Sequence, residues 1–146
     1  MRSVNKSVLV PYTAQQMFDL VAGIEDYPKF LPWCGGTRIL QRSGDETLAR
    51  IDIDYRGVRA HFTTANHNQP PDRIVIELRD GPFRRLDGIW QFRALSNAAS
   101  KVDFKLDYEF ATGVLETLIG PVFSRIADSF IDAFVKRAAA VHGGAG

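Results

Sequence analysis

The sequence is poor in the residues that carry most catalytic and metal chemistry. Its 146 residues include one cysteine, Cys34, and three histidines, His61, His67 and His142. A single thiol excludes an internal disulfide and a thiolate metal cluster. His61 and His67 would lie too far apart on one strand to share a metal ion, so we expect solvated histidines. The HExxH, CxxC, GxSxG and phosphate-loop motifs are also missing.

Neither sign of charge dominates, and no apolar run is long. The 18 Lys and Arg against 17 Asp and Glu leave a net charge of +1 at pH 7, which provides no long-range attraction to DNA. No apolar run approaches the roughly 18 residues of a membrane span, and the first residues lack the apolar stretch of a secretory signal. We therefore expect a cytoplasmic protein, peripheral to the inner membrane at most through transient contact.

Apolar and aromatic residues are plentiful instead. Hydrophobic residues make up 45% of the chain, and ten residues are Phe. A chain of this length buries one core, and no internal repeat or Gly/Ser/Pro linker divides it. The sequence predicts a single domain over residues 1–142 and a flexible tail at 143–146, where glycines lose the most entropy on ordering.

Local signals in the first part of the chain predict a strand followed by two short helices. The strand covers residues 3–10. The first helix begins with a capping box formed by Thr13 and Gln16 and ends at Gly23. The second short helix falls within residues 25–33, where prolines restrict its length.

Alternation of apolar and polar residues then predicts six strands. The clearest alternation is in 101–110, where Phe104 and Tyr108 belong to the apolar set. Short turns between consecutive strands imply antiparallel neighbours, and a loop is expected at 80–83. The other predicted strands are 37–42, 48–55, 58–66, 73–79 and 86–94.

The last predicted element is a long helix over about 113–141, with Gly120-Pro121 as the place where it would break. Its apolar stripe consists of Ile119, Phe123, Ile126, Phe130, Phe134, Ala138 and Val141. One apolar sheet face requires a cover, and this helix is the element that can provide it. The predicted fold class is α+β, with a twisted antiparallel sheet of about seven strands wrapped on the long C-terminal helix.

Aromatic residues exceed what a small core needs, so we predict an apolar cavity between sheet and helix; simple packing is the alternative. Trp90 and Tyr108 suit its wall because each combines an apolar body with a hydrogen-bond donor. Phe83, presented by the loop at 80–83, would lie at the rim and gate access. The cavity candidates are Trp33, Phe83, Trp90, Phe104, Tyr108, Phe123 and Phe130.

Three segments, 20–34, 80–92 and 130–138, together resemble the coenzyme Q-binding START-like family, often labelled polyketide cyclase/dehydrase. The most specific strings are YPKFLPWC and DGPFRRLDGIWQF. The same group includes bacterial ribosome association toxins. The resemblance implies a helix-grip fold with an apolar cavity, and Leu31 and Trp33 are expected near its mouth. Residues that match the family strings, and are therefore implied in ligand binding, are Leu31, Trp33, Phe83, Leu86 and Trp90.

The resemblance also implies a function without catalysis. The chain would bind ubiquinone or a related polyprenyl lipid, as a ligand rather than a cofactor, and would support respiratory quinone function. Two alternatives stay open: a ribosome association toxin that blocks joining of the ribosomal subunits, and a polyketide cyclase-like enzyme. The near-neutral charge argues against a dedicated RNA surface. A cyclase would need an acid or base in the cavity, where the inward positions offer mainly Tyr55 and Tyr108.

Overall fold

The computed structural model describes residues 2–143, and the expected tail lies outside this range except for Gly143. The described chain forms a seven-stranded sheet, two α-helices and a 3₁₀ helix. In order these are β1 (Arg2–Val10), α1 (Ala14–Ala22), the 3₁₀ helix (Ile24–Lys29), β2 (Cys34–Ser43), β3 (Glu46–Tyr55), β4 (Val58–Gln69), β5 (Arg73–Asp80), β6 (Phe83–Ala94), β7 (Ser100–Phe110) and α2 (Gly113–His142).

All strand pairs are antiparallel, and the spatial order is β1-β7-β6-β5-β4-β3-β2. Strands β2 to β7 each lie beside their sequence neighbours because the turns between them are short. β1 pairs with β7, with Val4 opposite Leu106. The segment between β1 and β2, which contains α1 and the 3₁₀ helix, therefore crosses from one sheet edge to the other. The predicted helix-grip fold is confirmed.

Helix α1 begins and ends where the sequence predicts. The Thr13 side chain accepts a hydrogen bond from the Gln16 backbone N–H at 3.0 Å, and the Gln16 side chain accepts one from the Thr13 backbone N–H at 2.8 Å. Gly23 follows the last helical residue and donates its N–H to the Asp19 carbonyl at 3.0 Å. This reciprocal cap satisfies backbone groups that the helix itself leaves free.

The inner sheet face is covered by α2. In β7 the predicted alternation is confirmed, with Phe104 and Leu106 buried and Lys105 exposed between them. The α2 residues Phe123 and Phe134 are buried on this face. Phe130 is half-buried and packs on Phe104 with ring centroids 5.5 Å apart. The two apolar periodicities therefore meet, as expected for a sheet face that one helix shields from water.

Helix α2 is continuous through Pro121, so the break near Gly120-Pro121 does not occur. Ile119 and Phe123 are both buried on either side of the proline, and this packing holds the backbone helical despite the lost N–H donor. Val141, the last residue of the predicted stripe, is 49% exposed. Among the helices within residues 2–143, none combines the length and the apolar content needed to cross a membrane.

The expected loop at 80–83 is shorter than predicted, because β5 ends at Asp80 and β6 begins at Phe83. Gly81 adopts a φ of +145°. A Cβ atom at this position would come within 2.7 Å of the Phe62 Cβ, so only glycine allows both the conformation and the close approach. The tight turn makes Phe83 the first residue of a strand instead of a residue at a loop tip.

Replacing Phe134 with alanine tests the contact between helix and sheet. Phe134 is fully buried and contacts Tyr27, Trp90 and Phe130, with ring centroids 5.4, 5.3 and 5.2 Å away. We expect Phe134→Ala to lower the free energy of unfolding in urea by about 3–5 kcal/mol. The exposed Val141→Ala control should change it by less than about 0.5 kcal/mol. Equal effects of the two substitutions would contradict this packing.

Candidate functional site

A cavity of about 60 Å³ lies between the inner sheet face and α2. Strands β3 to β7 supply one wall, and α2 supplies the other through residues between Phe123 and Phe130. Val21 of α1, Tyr27 of the 3₁₀ helix and Trp33 also line it. The cavity is therefore bounded by every layer of the fold, which is the arrangement predicted from the two periodicities.

The structure brings six of the nine predicted site residues together around this cavity. Three come from the sheet, two from α2 and one from the segment before β2. These residues are Trp33, Leu86, Trp90, Phe104, Phe123 and Phe130. The other three, Leu31, Phe83 and Tyr108, lie outside the lining.

Phe83 is a core residue at one end of the sheet and does not lie at a rim. It is 5% exposed and packs on Phe110 and Phe123, with ring centroids 5.0 and 4.8 Å apart. The two-residue turn explains the difference, because the first inward position of β6 lies under the early turns of α2. The expected gating role for Phe83 has no geometric basis in this arrangement.

Tyr108 and Leu31 also lie away from their expected places. Tyr108 is 2% exposed and contacts Phe123, a lining residue, at a ring distance of 4.8 Å, but is not itself part of the lining. Burial raises the pKa of its hydroxyl. Leu31 is 1% exposed and lies in the core, with its N–H bonded to the Tyr27 carbonyl at 2.9 Å. Neither residue is at a mouth or on a wall of the cavity.

The cavity contains a small set of polar groups. The indole N–H of Trp90 is buried and has no hydrogen-bond partner within residues 2–143. On the same lining, the Thr64 hydroxyl donates to the Asn66 side-chain oxygen at 3.0 Å. A buried donor without an acceptor costs about 1–3 kcal/mol. A ligand atom that accepts a hydrogen bond from Trp90 would remove this cost.

Tyr27 is the titratable side chain among the described lining residues. Its hydroxyl donates to the Val21 carbonyl, and burial raises its pKa above the usual value for tyrosine. It is therefore neutral and already bonded. Tyr55 and Tyr108, the expected acid or base candidates of a cyclase, lie outside the lining.

Sequence reasoning missed the polar pair Thr64 and Asn66. The pattern of β4 held a signal, since Thr64 shares the face of Phe62 and thus points inward, where a polar residue is unusual. The structure buries five consecutive residues of β4, from Phe62 to Asn66, near a register shift between Thr63 and Thr64. This run does not follow the simple alternation on which the prediction depended.

The side chains that could bind a metal ion or act as a reactive thiol lie outside the cavity lining, and their surroundings favour neither role. No group of three His, Cys, Asp or Glu within residues 2–143 is arranged to hold a metal ion. His67 is only 35% exposed and lies between Glu46 and Glu77 at 3.7 and 3.2 Å, so it is less solvated than expected. Burial raises the pKa of the Cys34 thiol, which disfavours the reactive thiolate.

The sequence profile of the family described as polyketide cyclase/dehydrase and lipid transport matches residues 10–135. The chain belongs to this family. A START superfamily protein from Mycobacterium smegmatis has the same fold, with a TM-score of 0.73 and 24% identity over 92% of this chain and 95% of that one. The predicted START-like grouping is therefore confirmed.

Two curated relatives carry different functional names. The ribosome association toxin RatA of Escherichia coli (strain K12) is 39% identical over 142 residues, which cover 97% of this chain and 90% of the toxin. The mitochondrial coenzyme Q-binding protein COQ10 homolog B of Xenopus laevis is 24% identical over 143 residues, covering 95% of this chain and 59% of that protein. The chain is thus similar to both kinds of protein, at 39% and 24% identity.

Replacing Phe83 with alanine distinguishes a core role from a gating role. We expect Phe83→Ala to lower the free energy of unfolding by about 3–5 kcal/mol, because it leaves a void among aromatic rings. The exposed neighbour provides the control, and Arg84→Ala should change stability by less than about 0.5 kcal/mol. Both are measured by urea unfolding. Full stability of Phe83→Ala combined with altered ligand exchange would restore the gating role.

Proposed function

We propose that the chain binds a small hydrophobic molecule between the sheet and α2, and that this molecule is ubiquinone or a related polyprenyl lipid. The observation that carries the proposal is the unpartnered indole N–H of Trp90, a lining residue of a mostly apolar cavity in which the Tyr27 and Thr64 hydroxyls already donate hydrogen bonds. The relative named as a coenzyme Q-binding protein supports the same ligand class. The function proposed is binding without catalysis, in the cytoplasm and in transient contact with the inner membrane.

The chemistry of a quinone matches the polar groups of the cavity. A quinone head offers acceptors and no donor, so the Trp90 N–H can donate to one of its oxygens. The prenyl tail needs only apolar wall, and each buried CH₂-sized group contributes about 0.8 kcal/mol. Phe104, Phe123 and Phe130 supply that wall. The neutral, already bonded Tyr27 hydroxyl gives no acid or base for turnover, which supports a carrier over a cyclase.

The size of the cavity sets a condition on binding. Its volume is about 60 Å³, whereas pockets for small molecules usually measure about 300–1,000 Å³. A prenyl quinone therefore binds only if side chains or α2 move away from the sheet. Binding and expansion of the cavity are coupled in this proposal, and the affinity is reduced by the work of opening.

The contribution of the Trp90 hydrogen bond to affinity can be measured by comparing two ligands, one with and one without acceptor oxygens, in the native chain and in a Trp90 variant. We expect a short-chain ubiquinone to bind the native chain about 2- to 10-fold more tightly than a prenylated benzene without acceptors, as one hydrogen bond of about 0.5–1.5 kcal/mol requires. In Trp90→Phe this preference should disappear, because the ring stays and the donor is lost. Binding is followed by amide NMR shifts.

The outcome of that titration decides the proposal. Saturable shifts at the indole N–H of Trp90 and on the inner face of α2 support binding in the cavity. If neither ligand binds up to its solubility limit, the proposal is wrong. If Trp90→Phe keeps the full preference for the quinone, the hydrogen bond is made elsewhere.

Association with the ribosome is a second candidate, favoured by the 39% identity to a ribosome association toxin over nearly the whole of both chains. The outer sheet face carries paired charges, such as Arg50 with Asp52 at 2.9 Å and Arg85 with Asp87 at 2.6 Å. Paired cations neutralise few phosphates, and only isolated cations such as Arg93 and Lys105 form no ion pair on this face within residues 2–143. Association through this face would therefore depend weakly on salt.

Sedimentation with purified ribosomal subunits tests this candidate. We expect the chain to comigrate with one subunit and to reduce the fraction of joined particles. The bound fraction should change by less than about 10-fold between 50 and 200 mM KCl, because few phosphate contacts are available. A chain that stays at the top of the gradient at every salt concentration contradicts the candidate. A steep loss with salt would instead indicate a basic RNA-binding surface.

A further inference from the structure

Trp33 separates the internal cavity from a groove on the surface. Its side chain lines the cavity of about 60 Å³. It also lines a groove of about 460 Å³ between residues 30–33 and the C-terminal half of α2. The residue is only 5% exposed, so the ring fills the boundary between the two spaces. Trp33 is the one residue that the two linings share.

A series of aromatic contacts connects Trp33 with Trp90, whose indole N–H is the unpaired donor of the cavity lining. Trp33 packs on Phe130 with ring centroids 5.9 Å apart, and Phe130 packs on Trp90 at 5.7 Å. The backbone at this point is fixed, because the Trp33 carbonyl accepts the Asp54 N–H at 2.9 Å. Because this hydrogen bond ties the segment before β2 to the sheet, an opening at Trp33 requires less disruption by rotation of side chains than by movement of the backbone.

The groove outside Trp33 combines apolar surface with positive charge. Phe30, Pro32 and Ala133 give the apolar part, and Lys136 and Arg137 lie along α2. The Arg137 guanidinium lies 5.1 Å from the centre of the Phe30 ring. Asp132 is the one carboxylate of the groove lining. In the described part of the chain, neither cation lies within 4.0 Å of a carboxylate, although Arg137 contributes, after Lys29, to lowering the pKa of the Asp26 carboxyl.

We infer that this groove is the access route to the cavity, and that it docks on an anionic lipid bilayer while Trp33 rotates out to admit the ligand. Two cations beside the exposed Pro32 and the half-buried Phe30 and Ala133 match a layer of anionic headgroups above acyl chains. Continuity with the cavity through Trp33 explains why docking takes place at this groove. The inference rests on the proposed function, because a polyprenyl ligand resides in a membrane.

The two tryptophans of the chain allow the opening to be observed without altering the groove. The indole N–H region of the NMR spectrum contains two signals, which Trp33→Phe assigns. Because a cavity of about 60 Å³ has no room for a quinone and its tail, the bound ligand should keep Trp33 rotated out. We therefore expect a water-soluble nitroxide to broaden the Trp33 signal more strongly at saturating short-chain ubiquinone than in the free chain. The Trp90 signal should shift and stay protected.

This measurement separates the access route from the proposed function. A shifted Trp90 signal with Trp33 still protected means that the quinone binds but enters elsewhere, which overturns the inference alone. No shift at Trp90 at any soluble quinone concentration overturns both. Stronger broadening of Trp33 when ligand is bound supports the route.

Vesicle sedimentation tests the docking surface. We expect binding to vesicles of phosphatidylcholine and phosphatidylglycerol, and little binding to phosphatidylcholine alone. Reversing the groove charges in K136E/R137E should weaken binding about 10-fold or more. The matched control, R93E/K105E, makes the same change of net charge at exposed positions on the outer sheet face and should weaken it less than about 3-fold.

The control distinguishes position from total charge. Equal losses in the two double variants would show a general electrostatic effect and overturn docking through the groove. If the native chain binds both kinds of vesicle equally, the inference of an anionic bilayer as partner is wrong. If the groove residues are needed for binding to ribosomal subunits but not to vesicles, the groove is a ribosome-binding surface instead. Circular dichroism of each variant confirms that it is folded.

Discussion

Phe130 and Phe134 of α2 pack against Trp90 of β6, with ring centroids 5.7 and 5.3 Å apart. This contact holds the helix on the inner face of the sheet. It also positions the 3₁₀ helix, since the Tyr27 ring packs on Phe134 at 5.4 Å. The segment that ends at Trp33 is therefore placed by the same aromatic cluster. Stability and the shape of the cavity both depend on rings that touch each other.

Rigid rings explain why the interior is not completely filled. Large planar side chains meet edge to face and cannot collapse into every gap, and a cavity of about 60 Å³ remains. At about 24 cal/mol per Å³, a void of this size costs roughly 1.4 kcal/mol. The unbonded Trp90 N–H adds about 1–3 kcal/mol. A ligand that fills the space and accepts the hydrogen bond recovers both contributions, which offsets part of the work of opening the cavity.

Periodicity predicted most of the fold because burial of one face dictates the sequence pattern. The alternation in β7 and the stripe of α2 correctly placed Phe104 and Phe123 on facing surfaces. Periodicity gives the face of a residue but not its position along the cavity. Phe83 and Tyr108 point inward as expected, yet they lie where α2 is close to the sheet and no space remains. Pro121 is the opposite case. Proline usually breaks a helix, but packing on both sides of Pro121 keeps α2 continuous.

The two proposed functions place different demands on the surface. On the outer sheet face, cations such as Arg79 and Lys101 lie within 4.0 Å of a carboxylate on the same strand, whereas Arg93 and Lys105 form no ion pair within residues 2–143. The groove beside Trp33 combines apolar surface with cations that form no ion pair in residues 2–143. Cavity and groove share the Trp33 ring, so a ligand that rotates it changes the groove as well. By linkage, a partner that prefers the altered groove raises the affinity of the cavity for its ligand by the same factor. If the chain has both proposed functions, lipid binding and association with a large partner are coupled through the Trp33 side chain and do not exclude each other.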